Sequence, residues 1–172
     1  MSDPRFHLAQ INVGRLLAPM DDIRIAGFVE GLEPINRLAE ASPGYVWRLQ
    51  SDAGNATDIL LTDDALFIIN LTAWESIEAL RHFAYSTAHV EVLRRRREWF
   101  ERHVEPHLAL WWVPAGTLPD PLDGLARVES LARLGPTPEA FTFREPFGPP
   151  GSVDPAPSHI DAEFCWPTPV PA

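Results

Sequence analysis

The sequence predicts an α+β fold of the ferredoxin-like kind, an antiparallel four-stranded sheet with helices packed on it, and three observations carry that expectation. Four segments rich in β-branched and aromatic residues, at 6–13, 45–50, 67–73 and 107–113, read as strands. Helical periodicity fills the first and third gaps between them, so the order is β-α-β-β-α-β. The last two strands are apolar in both alternating phases: Phe67, Ile69 and Leu71 against Ile68 and Trp74, then Leu108, Leu110 and Trp112 against Ala109, Trp111 and Val113. A sheet with one solvated face shows polar residues at every second position. The expectation is therefore that the open face packs on a second copy of the chain, as a homodimer.

The elements follow in order. Phe6 to Val13 forms the first strand, closed by Gly14. Asp21 and Asp22 supply a cap for a helix whose stripe is Ile25, Phe28, Val29, Leu32, Ile35 and Ala39. Pro34 lies inside that stripe and is expected to kink or divide the helix, because it removes a backbone donor. Pro43 and Gly44 end the segment. Tyr45 to Gln50 is the second strand, and 51–64 is a largely polar loop. Phe67 to Ala73 is the third strand, after which Ser76 caps a helix carrying Ile77, Leu80, Phe83 and Ala84. A further helix is expected from Ser86 to Val104, stopping before Pro106. His107 to Val113 is the fourth strand. Pro121 to Leu134 reads as an amphipathic helix halted by Gly135 and Pro136, and Phe141 to Phe143 as a short edge strand.

Two regions are expected: a domain over residues 1–145 and a Pro-rich irregular tail over 146–172. Eight of the 18 prolines fall in the tail, a composition poor at building a core. Its segment Ile160 to Trp166 is apolar enough to dock elsewhere. The hydrophobic share of 45% and charged share of 22% suit a globular chain.

The formal charge of −10 argues against nucleic acid or an anionic membrane as partner, since both are bound by excess Lys and Arg. A single cysteine, Cys165, rules out an intrachain disulfide. With no apolar run of about 20 residues and no apolar leader near Met1, the expected location is cytoplasmic.

Chemistry-bearing residues are few. In the helix after Tyr85, His89 and Arg96 lie seven apart and project from nearly one angle, along a side that also holds Tyr85, Val92, Trp99 and His103. His89 reads either as a core imidazole bonded to backbone or hydroxyl groups, or as a pocket base. A buried Arg96 needs a partner, either an acid such as Glu75 or Asp58 or an anionic ligand. Arg94, Arg95 and Arg97 read as a solvated face, and Arg48 as reaching solvent at a sheet edge. Gln10 and Asn12 share one strand face, and Asn70 lies mid-strand. Such groups orient a ligand or bond across strands. Trp47, Trp74, Trp99, Trp111 and Trp112 fill a core or line a site for a flat aromatic molecule. No Cys cluster, His-Glu-x-x-His, Gly-rich phosphate loop or Gly-x-Ser-x-Gly elbow is present, which removes most support for zinc hydrolase, nucleotide-binding and serine hydrolase classes.

The join Asn70-Leu71-Thr72-Ala73-Trp74-Glu75-Ser76-Ile77-Glu78-Ala79-Leu80, continued by Phe83 to His89, resembles that of the dimeric α/β-barrel superfamily. His7 to Arg15, Arg94 to Phe100 and Trp111 to Gly116 resemble an uncharacterised bacterial family within it, over about residues 6 to 145. The resemblance implies pairing as a dimeric α/β barrel. It also implies one of three functions. The first is a cofactor-independent monooxygenase-like enzyme on an aromatic or polyketide-like substrate, with His89 and Arg96 catalytic and Asn12, Asn70, Trp74, Tyr85 and Trp99 around the substrate. The second is a haem protein with His89 as axial ligand, and the third a non-catalytic dimeric binding or stress-response module. No metal and no cofactor is expected under the first.

Overall fold

The computed structural model describes residues 5–102 and 106–152. Four strands form one antiparallel sheet: β1 (Phe6–Arg15), β2 (Tyr45–Arg48), β3 (Phe67–Trp74) and β4 (Leu108–Pro114). Their spatial order is β2-β3-β1-β4, the ferredoxin-like arrangement. β1 lies inside the sheet, pairing with both β3 and β4, and its phases differ: Ala9, Ile11 and Val13 enter the apolar core while Gln10 and Asn12 face the other side.

Three helices pack on one face: α1 (Ala26–Glu40), α2 (Ile77–Ser86) and α3 (His89–Arg95). Asp22 caps the short turn Ile23–Ile25 that leads into α1, accepting from the Arg24 N–H. Ser76 caps α2 by accepting from the Ala79 N–H at 3.1 Å. Pro34 does not divide α1, which runs unbroken from Ala26 to Glu40. Pro34 is exposed, so the carbonyl that loses its N–H partner faces water rather than core.

The second sheet face is not bare. α4 (Pro121–Leu134) lies across it, burying Val128 and Leu131 against Ile11, Ala109, Trp111 and Val113. Leu49 and Leu61, from the stretch after β2, join this cluster beside Trp47 and Phe67. This corrects the expectation that a second copy must cover the face. The double-sided apolar pattern of β3 and β4 is satisfied inside one chain. Gly124 favours the close approach: a Cβ there would stand 2.8 Å from Ile11 Cδ1 and 3.3 Å from the Trp111 ring, so the neighbouring side chains would have to shift.

Other bounds shift slightly. The helix expected over 86–104 is the seven-residue α3 followed by a tighter turn, Arg96–Glu98, and Trp99 turns down into the core. The edge strand at 141–143 reduces to one bridge, Leu110 to Phe141. The first residues of the Pro-rich stretch dock on the domain: Trp112 Nε1 donates to the Phe147 carbonyl at 2.8 Å, and Phe147 packs on Phe141. Ile160 to Trp166, Cys165 and His103 lie outside the described residues. No helix among the described residues is long and apolar enough to cross a membrane.

Candidate functional site

Between the α1–α3 layer and the sheet lies a cavity of about 510 Å³. Its floor is polar because the strand register gathers one phase: Asn12 lies opposite Asn70, Gln10 opposite Thr72, and Arg48 beyond Thr72 on β2. Residues sharing a register row share a face, so five separate strand positions become one surface. Asn36 of α1, Phe83 of α2 and His89 and Leu93 of α3 contribute to the walls.

A directed relay runs through the floor. The indole N–H of Trp74 can only donate, and it donates to Thr72 Oγ1 at 2.9 Å. The Thr72 hydroxyl then donates to Gln10 Oε1 at 2.8 Å. With its oxygen occupied, Gln10 keeps its amide N–H groups for the cavity it lines. Gln10 and Thr72 are the two buried polar residues of the described core, 5% and 6% exposed. Each is therefore held where a wrong orientation would strand a donor.

His89 owes its place to a break in the helical region. Thr87 leaves helical geometry (φ −120°, ψ −178°), its hydroxyl donating to the Phe83 carbonyl at 2.6 Å and accepting from the His89 N–H at 3.2 Å. The chain then restarts as α3 with His89 at its head. His89 Nδ1 lies 3.3 Å from the Ala84 carbonyl, which only accepts, so Nδ1 carries the proton and Nε2 keeps a lone pair. Burial pushes the imidazole pKa below its ordinary value, and the Ala84 bond opposes this only in part. The ring rests on Phe83, itself stacked on Trp74. At neutral pH this is a neutral base in a largely apolar wall.

Arg96 donates through Nη2 to the Val13 carbonyl at 3.1 Å and lies over the Phe100 ring. Burial pushes its pKa down to about 10, which still leaves a cation at pH 7. Arg48 does not simply reach solvent. Its side chain is 11% exposed, pairs with Glu40 at 2.8 Å and donates to the Gly54 carbonyl at 2.9 Å. Asp58, one acid considered for Arg96, accepts from the Ser51 hydroxyl. Among the described residues no cluster of His, Cys, Asp or Glu could hold a metal ion.

With this geometry in view, comparison with known proteins is decisive for the family. The model of a domain of unknown function, DUF3291, matches residues 7–156. The chain belongs to the DUF3291 family. No curated protein matches it. Three solved structures share features of its fold at low identity. PA3566 from Pseudomonas aeruginosa is 13% identical with a TM-score of 0.45, covering 67% of this chain and 100% of that one. NE2512, a protein of unknown function from Nitrosomonas europaea, is 12% identical with a TM-score of 0.43, covering 69% and 98%. SnoaB, a cofactor-independent oxygenase from Streptomyces nogalater, is 13% identical with a TM-score of 0.42, covering 66% and 98%.

In this DUF3291 chain five of the residues singled out by sequence, Asn12, Asn70, Tyr85, His89 and Arg96, line the one cavity. Trp99 lines a smaller space beside it, of about 150 Å³. Trp74 is wholly buried and lines neither, acting instead as the donor that starts the relay. Arg94 and Arg97 are exposed, as expected of a solvated face, and they also reach the cavity rim. Sequence reasoning missed Arg48, Asn36 and the role of Thr72. The one available signal was the polar phase of β1 and β3, Gln10, Asn12, Asn70 and Thr72, which alternates with an apolar one.

Proposed function

We propose that this DUF3291 protein is a small-molecule enzyme in which His89 Nε2 takes a proton from an organic substrate held in the cavity. The observation that carries the reading is the His89–Ala84 hydrogen bond. It selects the tautomer whose lone pair remains for chemistry, in an imidazole that burial keeps neutral. Proton loss leaves an oxyanion or enolate, which the Arg96 cation and the Asn12 and Asn70 amides would stabilise. The floor amide of Gln10 adds a further donor. A cavity of this size, mainly apolar with a few placed polar groups, suits a small aromatic or polyketide-like molecule.

The reaction such an anion serves is cofactor-independent oxygenation. A substrate CH₂ made acidic by neighbouring carbonyls loses its proton to His89, and the carbanion adds dioxygen. Loss of water then leaves a carbonyl, so one oxygen atom enters the product and the other leaves as water, with all electrons supplied by the substrate.

The same tautomer supports a second reading. An Nδ1–H bonded to a backbone carbonyl is the usual setting of a metal-ligating histidine. His89 would then hold a haem iron and Arg96 a propionate, and the haem would supply redox chemistry.

Oxygen uptake with a panel of anthrones and acidic phenols tests the first reading. His89→Ala should abolish uptake and keep the melting temperature within a few degrees. A loss of stability with no loss of uptake overturns the role of His89. Haemin added to the purified protein separates the second reading: a Soret band that His89→Ala removes supports it. If neither uptake nor a Soret band is seen, the chain acts as a non-catalytic binding module.

A further inference from the structure

Gln10 is the most deeply buried polar residue of the cavity lining among the described residues. It lies on β1 between Thr72 of β3 and Leu110 of β4, and apolar groups surround it: Leu80, Phe83, Leu108 and Phe143 line the same space. Its amide polarity is set from behind. The Thr72 hydroxyl carries one proton, and the Trp74 indole occupies one of its acceptor sites. Among the described residues, Gln10 Oε1 is the acceptor that this proton finds. Turned the other way, the amide would press an N–H against the hydroxyl and leave the Thr72 proton buried without an acceptor. Oε1 therefore faces Thr72, and Nε2 faces away from it. Among the described residues, Trp111 Nε1 is the one buried side-chain atom sealed off without a partner. Gln10 Nε2, which meets no partner there either, therefore opens on the cavity. No comparable bond sets the Asn12, Asn36 or Asn70 amides among the described residues, so each of these can present its oxygen or its N–H groups. Gln10 alone of the four presents a fixed donor.

We infer that Gln10 is the specificity-determining residue of this cavity, its Nε2 donating to the carbonyl oxygen of an aromatic ketone, with Thr72 and Trp74 as the positioning residues that hold the amide in that sense. A methylene in place of the carbonyl would leave the N–H against apolar groups with no acceptor, and an amine would set donor against donor. The inference rests on the cavity being the ligand site proposed above, and adds the group that is read and the residue that reads it. Trp74 also ties this donor to the base. Its ring stacks on Phe83 with centroids 5.1 Å apart, and the His89 ring rests on Phe83 at 4.7 Å. One wholly buried indole thus supports both the donor and the imidazole, so a ketone gripped by Gln10 is placed relative to His89 by packed groups rather than by a loop.

The test uses the full chain and two probes of matched shape: indanone, isotope-labelled at its carbonyl carbon, and indane, which has a methylene there. Infrared spectroscopy of the bound ketone reads the donor directly, and its C=O band should lie at lower wavenumber than in an alkane solvent. Gln10→Met keeps the length and removes the donor. It should return the band most of the way and weaken indanone, relative to indane, at least about tenfold by calorimetry. Thr72→Val, which releases the amide, should move the band part of the way in the same direction, and Thr72→Ser should leave it in place. An unshifted band in the native chain overturns the inference, and oxygen uptake that still depends on His89 would then leave the proposed function standing. A shifted band that Gln10→Met does not move assigns the donor to another residue and also overturns it. Should Gln10→Met fail to fold, Thr72→Val decides through the same band, an unmoved one overturning the inference. Failure of indanone to bind the native chain at millimolar concentration overturns both the inference and the cavity as a ligand site.

Discussion

Thr72 Oγ1 donates to Gln10 Oε1 across the β1–β3 ladder at 2.8 Å, and its direction is set by a third residue, the Trp74 indole that donates to the same hydroxyl. A side chain that reads as an ordinary strand threonine decides which end of a buried amide faces the cavity. Thr72→Val keeps the shape and removes both bonds, leaving the Trp74 N–H stranded. We expect it to cost about 1–3 kcal/mol in urea denaturation, with Thr72→Ser recovering most of that. A neutral Thr72→Val would show that the relay contributes nothing.

His89 links activity and stability to pH in the same direction. Its folded-state pKa lies below the ordinary 6.5 because burial disfavours the cation. The basic form is therefore fully present at neutrality and persists into mildly acid solution. Turnover should be flat above the ordinary histidine range and fall only below it. For stability, the unfolded chain binds a proton at His89 before the folded chain does, so this contribution is intact above 6.5 and is lost as pH falls through the folded pKa. His89→Gln should flatten that part of the stability profile. An unchanged profile in the variant would remove His89 as its source.

Two helix glycines should respond to alanine with opposite signs. Gly31 in α1 has no atom within 4 Å of a would-be Cβ, so Gly31→Ala should gain up to about 1 kcal/mol from helix propensity. Gly124 in α4 meets Ile11 Cδ1 at 2.8 Å and the Trp111 ring at 3.3 Å, so Gly124→Ala should lose about 1–3 kcal/mol despite the same propensity gain. Thermal melts of the pair decide whether α4 is docked this closely.

Because α4 covers the second sheet face, the folded state does not depend on a second copy to bury it. The denaturation midpoint should then stay constant when the protein is diluted about a hundredfold, where an obligate dimer would shift. Leu131→Ala, which hollows out the contact between α4 and the sheet, should cost about 2–5 kcal/mol. A concentration-dependent midpoint in the native chain would return the face to a partner.

Much of the site was legible before any coordinates. The strand alternation placed Asn12 and Asn70 in phase, and the His89-to-Arg96 spacing put both on one helical side, because side-chain direction follows from backbone period alone. Pro34 misled as a divider, since α1 runs through it unbroken and its exposed position leaves the unpartnered carbonyl to water. The helix expected through Val104 misled, because at Arg96 the chain passes into a tighter turn, which side-chain periodicity alone does not reveal.

The sequence by itself determined the order of the strands and main helices, the caps at Asp22 and Ser76, the stop at Gly135 and the apolar character of β4 in both phases, all of which are local or periodic properties of the chain. Only the tertiary structure decided what lies on the second face. Apolar surface demands burial without naming its partner, and here Gly124 let α4 of the same chain supply it. The cavity, the donor direction at Gln10 and the tautomer of His89 were likewise decided there. Each depends on contacts between segments far apart in sequence, which no repeat along the chain encodes.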